Sequence, residues 1–328
     1  MIIATGSKSV ELNGAKTDEK RILSSTGALA LDRVPESMLV VGCGAIGLEL
    51  GSVWRRYGAK VVAVELADRI LPGMDGETAV YAQRELEKQG VSFKLGFSVE
   101  ALIEKGNGVS ASIKNKATGV VENLDFDVAL VAIGRKPCVE GLGLEAVGIT
   151  LDAKGRIPAN EKFETRANGV YAIGDVIKGA MLAHKAEEEG YACAEIIAGK
   201  IGHVDYHVIP NVVYTEPEVA SVGKTEEELI AAKADYKSGK FPFSANGRAR
   251  AMGETAGFVK ILTEAKSDRI LGAHIVGADA GEMIAELALA MSFGASSEDV
   301  ALTCHAHPSL SEAIREAAMA AYGKCLHI

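Results

Sequence analysis

Met38-Leu39-Val40-Val41-Gly42-Cys43-Gly44-Ala45-Ile46-Gly47 opens the stretch that decides the fold, and Lys60-Val61-Val62-Ala63-Val64-Glu65 closes it. Met38 to Val41 is a short apolar run that reads as a buried strand, Ala45 to Tyr57 carries a helical pattern, and Lys60 to Glu65 is a second strand. That order is βαβ. The glycines at 42, 44 and 47 sit where the first strand turns into the helix, and Glu65 follows 18 residues beyond Gly47. A bare GxGxxG is weak evidence, but with a strand before it, a helix after it and an acidic residue on the next strand end it points to a dinucleotide site. Gly42 permits the tight turn, Gly44 lets backbone N–H groups approach a pyrophosphate, and Gly47 allows close helix–strand packing. Ala45 and Ile46 complete the helix start. Glu65 accepts hydrogen bonds from an adenosine ribose and repels a 2′-phosphate, so NAD is expected over NADP. The competing reading is a glycine-rich turn in a sheet that binds no nucleotide.

Outward from this unit, Thr78 to Gln89 repeats the helical pattern, Val91 to Leu95 the strand pattern, and Val128 to Ile133 is an apolar run ending at Gly134. The domain is expected to close near Pro137. Ile2 to Gly6 reads as a buried strand that starts at the chain's beginning with nothing before it to pair with, so the chain is expected to begin partway through a larger fold. Ala4-Thr5-Gly6, Ala132-Ile133-Gly134 and Ala172-Ile173-Gly174 share one strand-end pattern, Ala-x-Gly. A glycine there lets backbone approach a ligand at the carboxyl edge of a sheet, although an ordinary turn explains any single copy equally well. From about Asn211 the texture changes. Phe258 to Leu262 and Ile270 to Val276 read as an antiparallel strand pair, Met283 to Met291 as a helical apolar stripe, and Ser309 to Tyr322 as an alanine-rich helix.

Composition narrows the function. Apolar residues at 48% and charged ones at 24% exclude a disordered chain, and 36 glycines against 8 prolines fit a sheet-rich α/β protein that handles nucleotides. The balance of 35 basic and 44 acidic side chains, net −9, argues against a nucleic-acid partner. The charge-free run from Met38 to Leu48 falls far short of the roughly 18 residues a membrane span needs. Met1 to Gly6 carries no secretory signal, so the cytoplasm is expected, or the mitochondrial matrix if a leader lies outside this sequence. Cysteines at 43, 138, 193, 304 and 325 form neither a disulfide framework nor a zinc spacing.

Two further stretches carry chemistry. Thr165 to Asp175 is a short strand delivering an aspartate, and Met181-Leu182-Ala183-His184 starts a new helix whose N-terminus favours negative charge. Together they suit a flavin, while a turn aspartate before a helix is also a common structural arrangement. Cys304-His305-Ala306-His307-Pro308-Ser309-Leu310-Ser311-Glu312 sets a histidine five residues before a carboxylate. A histidine bonded to a carboxylate is held in one tautomer and relays protons near neutral pH. Ser309 and Glu312 equally match the S-x-x-E capping box of a helix start. Cys304, His305 and His307 lack a second spaced ligand group, so no metal is expected.

These stretches, in this order, resemble the flavoprotein disulfide reductases, class I of the pyridine nucleotide-disulfide oxidoreductases. Residues 42–65 are similar to the NAD half of that family, Gly174-Asp175 with Met181 to Ala186 to its second FAD fingerprint, and His305 to Pro308 with Ser311-Glu312 to its C-terminal signature. The resemblance implies an α/β architecture: an FAD-domain remnant at 1–24, a Rossmann-like NAD domain at 25–137, a partial second Rossmann-like FAD segment at 138–206, and an α+β dimerisation domain at 207–328. It implies FAD and NAD as cofactors and a homodimer. His307 would be the proton acceptor, Glu312 its orienting partner, Asp175 the ribitol holder, the 181–184 helix start a stabiliser of reduced flavin, and Gly134 a neighbour of the nicotinamide nucleotide. The likeness is closest to members that oxidise dihydrolipoyl groups on acyltransferase subunits of 2-oxo acid dehydrogenase complexes. Ser309 departs from the usual threonine, a change between two capping hydroxyls. The family's first GxGxxG and its Cys-x4-Cys pair do not occur in this sequence. A noncatalytic NAD-binding dimerisation fragment is therefore the rival reading. Glutathione reductase is disfavoured by Glu65, and mercuric reductase by the lack of paired C-terminal cysteines.

Overall fold

A computed structural model describes residues 1–327. The chain forms two compact units, one of Met1–Val10 with Ile133–Tyr206, the other of Glu11–Ala132 with His207–Ile328.

The larger unit holds a five-stranded parallel sheet in the order Ile22–Leu23, Val128–Val131, Ser37–Val41, Lys60–Glu65, Ser92–Leu95. Ser37–Val41 lies at its centre, with Met38, Leu39 and Val40 fully buried. A parallel strand covered on both faces needs a continuous apolar run, which is what these residues supply. The helices Ala45–Arg56 and Gly76–Lys88 follow two of the strands. Leu39, Val41 and Val64 pack instead against a three-stranded antiparallel sheet, Phe97–Lys105, Gly108–Asn115 and Val121–Phe126. The sequence reading passed over that sheet. Its central strand buries Val109, Ala111 and Ile113 and leaves Ser110, Ser112 and Lys114 less covered, a period of two written in small residues.

The same unit contains a five-stranded antiparallel sheet in the order Asn211–Val213, Glu218–Gly223, Ile270–Gly277, Phe258–Glu264, Tyr236–Pro242. The expected pair at 258–262 and 270–276 is present and antiparallel. Val259, Ile261, Ala273 and Ile275 face the helices Ala280–Ser292 and Glu312–Tyr322. Phe258 and Val276 turn the other way and join the core beneath the parallel sheet.

In the smaller unit Ile2–Ile3 pairs in parallel with Tyr171–Ala172, and Ser7–Ser9 pairs antiparallel with Arg135–Pro137. The helix Ala183–Ile197 contributes Ala192 and Cys193 to a core with Ile3, Phe163 and Ile173.

Three expected elements are corrected. The strand expected over Ile2–Gly6 spans only Ile2–Ile3, leaves Ile2 42% exposed, and finds its partner later in the chain. The run Val128–Ile133 leaves the sheet after Val131, and Ile133 is 41% exposed. The last helix begins at Glu312, because Ser311 rather than Ser309 takes the N-cap.

Candidate functional site

The glycine loop is built as its spacing demands. Gly42 has φ +98°, a region open to glycine, and its N–H donates to Val64 O at 2.8 Å. A Cβ on Gly47 would stand 2.0 Å from Gly42 O and 3.1 Å from Val40 Cγ1, so glycine alone lets the helix sit on the strand. Gly44, at the N-cap, is different: a Cβ there would meet nothing within 4 Å. It borders open space. Ala45 and Ile46 lead the helix, whose first turn holds no acidic side chain to offset its positive end. Glu65 closes the site, with Oε2 accepting from the Cys43 N–H at 2.8 Å and Oε1 from the Ala67 N–H at 2.9 Å. Burial, with Glu65 adding to it, pushes the Cys43 thiol well above its usual range and leaves it a poor nucleophile. An open Gly44 face, an unopposed helix start and a carboxylate at the next strand end fit the diphosphate and ribose of a dinucleotide.

In the smaller unit, Asp175 lies in the turn Gly174–Val176 and accepts a hydrogen bond from the Ser7 hydroxyl. Arg135 donates to Ser7 Oγ and Ser7 O, both at 2.7 Å. The turn itself is held from below. Gly174 donates its N–H to Glu189 Oε2 at 2.6 Å, and its carbonyl accepts from Lys185 Nζ at 3.1 Å. Lys185 and Glu189 pair at 2.9 Å, almost wholly buried, and Tyr206 OH donates to Glu189 Oε1 at 2.8 Å. Sequence reasoning missed Ser7, Arg135 and Glu189, and included Lys185 within the 181–186 fingerprint without giving it a role. The one available signal was the i, i+4 lysine–glutamate spacing in the helix that follows. Met181 and Leu182 precede that helix, Leu182 takes its N-cap without a side-chain bond, and Ala183 and His184 begin it. Gly134, at φ +131°, accepts from the Val10 N–H at 3.0 Å, and a Cβ on it would meet nothing within 4 Å.

His307 and Glu312 come together in the larger unit. Nδ1 of His307 lies 2.9 Å from Glu312 Oε1, and the imidazole side chain is 78% exposed. Glu312 Oε2 accepts from the Ser309 N–H at 2.9 Å. Glu312 therefore pairs with His307 and also holds the Ser309 N–H, but the capping box is not formed, because Ser311 takes the N-cap and Glu312 is the first residue of the helix. Burial pushes its carboxyl up, but the Ser309 N–H and the His307 ring outweigh that and hold it below the usual range. Ser309 does not cap: its hydroxyl lies 3.1 Å from Ser311 Oγ. His305 forms a second pair, with Nε2 at 2.7 Å from Glu286 Oε1 and Nδ1 at 2.9 Å from Thr303 O. Two acceptors, Glu286 foremost, favour the imidazolium and raise its pKa. Among the described residues no group of three or more His, Cys, Asp or Glu could hold a metal ion, and no helix is long and apolar enough to cross a membrane.

The sequence matches the family Pyridine nucleotide-disulphide oxidoreductase over residues 1–190 and its dimerisation domain over residues 209–318. It is 54% identical over 328 residues to the mitochondrial dihydrolipoyl dehydrogenase of Pisum sativum, covering all of this chain and 66% of that protein. It is 53% identical to the leghemoglobin reductase of Glycine max, covering 99% and 62%, and 52% identical to dihydrolipoyl dehydrogenase 3 of Pseudomonas aeruginosa, covering 99% and 70%. The chain thus spans about two thirds of the length of these curated relatives. LpdA from Mycobacterium tuberculosis superposes with a TM-score of 0.89 at 29% identity, over 97% of this chain and 68% of that one.

Proposed function

Because the chain belongs to the pyridine nucleotide-disulphide oxidoreductases, we propose that it is the nucleotide-binding and dimerisation part of a dihydrolipoyl dehydrogenase. The complete protein would oxidise dihydrolipoyl groups carried by acyltransferase subunits of 2-oxo acid dehydrogenase complexes and pass the electrons to NAD⁺. FAD, when bound, supplies the electron relay between sulfur and nicotinamide. The observation that carries the reading is the pair of His307, on an exposed loop, with Glu312, at the start of the last helix, in a chain that also holds a dinucleotide cradle.

A carboxylate can only accept, so Nδ1 of His307 carries the hydrogen toward Glu312 and Nε2 is left as the basic nitrogen. Nε2 would take the proton of a dihydrolipoyl thiol. The thiolate so formed attacks a disulfide, one S–S bond forming as another breaks, and Glu312 stabilises the imidazolium that holds the proton. On this reading the sulfurs attacked would be supplied by the complete protein, because the five cysteines of this sequence contain no Cys-x4-Cys pair. Glu65 would hold the adenosine ribose of NAD, with Gly42, Gly44, Ala45, Ile46 and Gly47 around its diphosphate. Asp175, tied to Ser7, would hold the FAD ribitol, Met181 to His184 would face the flavin, and Gly134 the nicotinamide nucleotide. A homodimer through residues 209–318 is the assembly the matched dimerisation domain supports. The mitochondrial and bacterial relatives support the mitochondrial matrix or the bacterial cytoplasm as its compartment.

The test is NADH-linked lipoamide turnover by the full-length protein carrying His307→Gln. A loss of about 10²- to 10⁴-fold is expected for a general base, and undiminished turnover would remove His307 from the role. A chain that binds NADH, dimerises, and remains colourless and inert even at full length would favour the noncatalytic fragment.

A further inference from the structure

We propose that Lys260, in the C-terminal antiparallel sheet, is a positioning residue for the glycine loop at residues 42–47 and acts on it through the segment from Arg69 to Glu77. The inference rests on reading that loop as a dinucleotide site.

Lys260 is out of place by composition. It sits in the buried strand Phe258–Glu264, is 1% exposed, and turns to the same face as Phe258, which packs beneath the parallel sheet. A buried ammonium persists only with carboxylates around it. Its nitrogen lies 3.2 and 3.1 Å from the two oxygens of the fully buried Asp75, 2.6 Å from Glu226 Oε2 and 3.2 Å from Glu77 Oε2. Burial pulls its pKa down, and Glu226 and Asp75 more than reverse that.

Asp75 is also the N-cap of the helix Gly76–Lys88, and its Oδ2 accepts from the Glu226 N–H at 3.2 Å. Glu227 Oε1 accepts from Arg69 Nη1 at 2.7 Å and from the Gly76 N–H at 2.8 Å. The segment is thereby tethered at both ends to the C-terminal sheet and to the short helix Glu226–Ala231 that connects two of its strands. Between the tethers Leu71 is buried with φ +47°, a conformation a leucine keeps only when its surroundings impose it. The N–H of Leu71 donates to Cys43 O at 2.9 Å, while the N–H of Cys43 donates to Glu65. Cys43 stands between two glycines, which offer no side chain to restrain the loop. The Cys43 side chain is buried in the core and the Gly42 N–H is held by Val64 O, while the peptide groups on either side of Cys43 are fixed by its two backbone bonds, one of which depends on a segment that Lys260 holds. A loop fixed before the ligand arrives loses less entropy on binding.

Isothermal titration with NADH, well below the melting temperature, compares the wild-type chain with Lys260→Met and with Lys260→Met/Asp75→Asn. In the double variant the amide oxygen keeps the helix cap and no unpaired charge is buried, so it folds where the single variant fails to. The Kd for NADH is expected to rise about tenfold, within the range for residues in a coupled network. Amide exchange should quicken at residues 42–48 and stay unchanged in the strand Ser37–Val41. A lowered melting temperature with wild-type Kd and wild-type loop exchange would make Lys260 a stabilising residue only and overturn the proposal. Failure of the wild-type chain to bind NADH would instead count against the dinucleotide reading, and loop exchange in the same variants would still decide the role of Lys260.

Discussion

His305 and His307 stand two residues apart and are built for different tasks. His307 offers a 78% exposed ring to whatever approaches, with one nitrogen committed to Glu312, whereas His305 has both nitrogens engaged and only 6% of its side chain exposed. The raised pKa of His305 has a consequence for stability. Its imidazolium stabilises the fold fully below the ordinary histidine value of 6.5 and stops doing so as pH climbs through the raised folded value. Thermal melts of His305→Gln should therefore show the largest deficit from wild type below pH 6.5 and a shrinking one above it; a deficit that widens with pH would contradict the pairing. Glu312 runs the other way. Its lowered carboxyl stabilises above the ordinary value of 4.5 and loses that contribution as pH falls through the lowered one. Glu312→Ala leaves the Ser309 N–H without its partner and should cost about 1 kcal/mol, the usual net worth of a hydrogen bond, measurable by urea denaturation at neutral pH. The five-residue spacing of His307 and Glu312 was legible in the sequence. That Ser311 would displace Ser309 at the N-cap was not, since both are serines beside the same helix and only backbone geometry separates them.

At the scale of elements, the strand, glycine loop and helix of residues 37–56 make a paired prediction about two glycines. Gly47→Ala places a methyl 2.0 Å from a backbone oxygen that cannot rotate away, so the helix must lift from its strand. An overpacking cost of about 1–3 kcal/mol is expected, with nucleotide binding lost alongside. Gly44→Ala meets no atom within 4 Å, and its extended backbone suits any residue. Its melting temperature should stay near wild type while its Kd for NADH rises about tenfold or more, because the methyl would fill the space proposed for the diphosphate. Equal thermal losses in the two variants would sink the distinction. This βαβ unit was legible because a strand buried on both faces is a continuous apolar run and the motif punctuates it. The sheet at residues 97–126 went unread because Ala111, Ser110 and Ser112 give its alternation little contrast. Lys260 and Asp75 lie 185 residues apart, and no local pattern can join them. A lysine inside Phe258-Val259-Lys260-Ile261-Leu262 was nevertheless a clue, since a charge in a buried strand needs a partner.

Across the whole molecule, the unit containing residues 11–132 and 207–328 does not divide where the two family matches do. One hydrophobic core takes Met38, Val40, Val61, Ala82 and Leu86 from the nucleotide-binding part together with Val213, Val219, Phe258 and Val276 from the C-terminal part. Tyr81 seals the junction, its ring edge-on to Phe258 at 5.5 Å between centroids and its hydroxyl oxygen accepting from the Gly257 N–H at 2.7 Å. Two parts that share a core and a buried Asp75–Lys260 pair should unfold as one cooperative body. Trp54, the chain's one tryptophan, packs against this core from the nucleotide-binding side, with its Nε1–H on Ala28 O at 3.1 Å. It reports on that side alone. Phe258 is 5% exposed, and Phe258→Ala should remove about 3–5 kcal/mol through lost burial and the cavity left behind. If the body is cooperative, the denaturation midpoint read by Trp54 fluorescence falls together with the one read by circular dichroism, although the substitution lies in the other part of the chain. If Trp54 keeps its wild-type midpoint while the dichroism transition splits, the two parts fold independently and the shared core does not couple them.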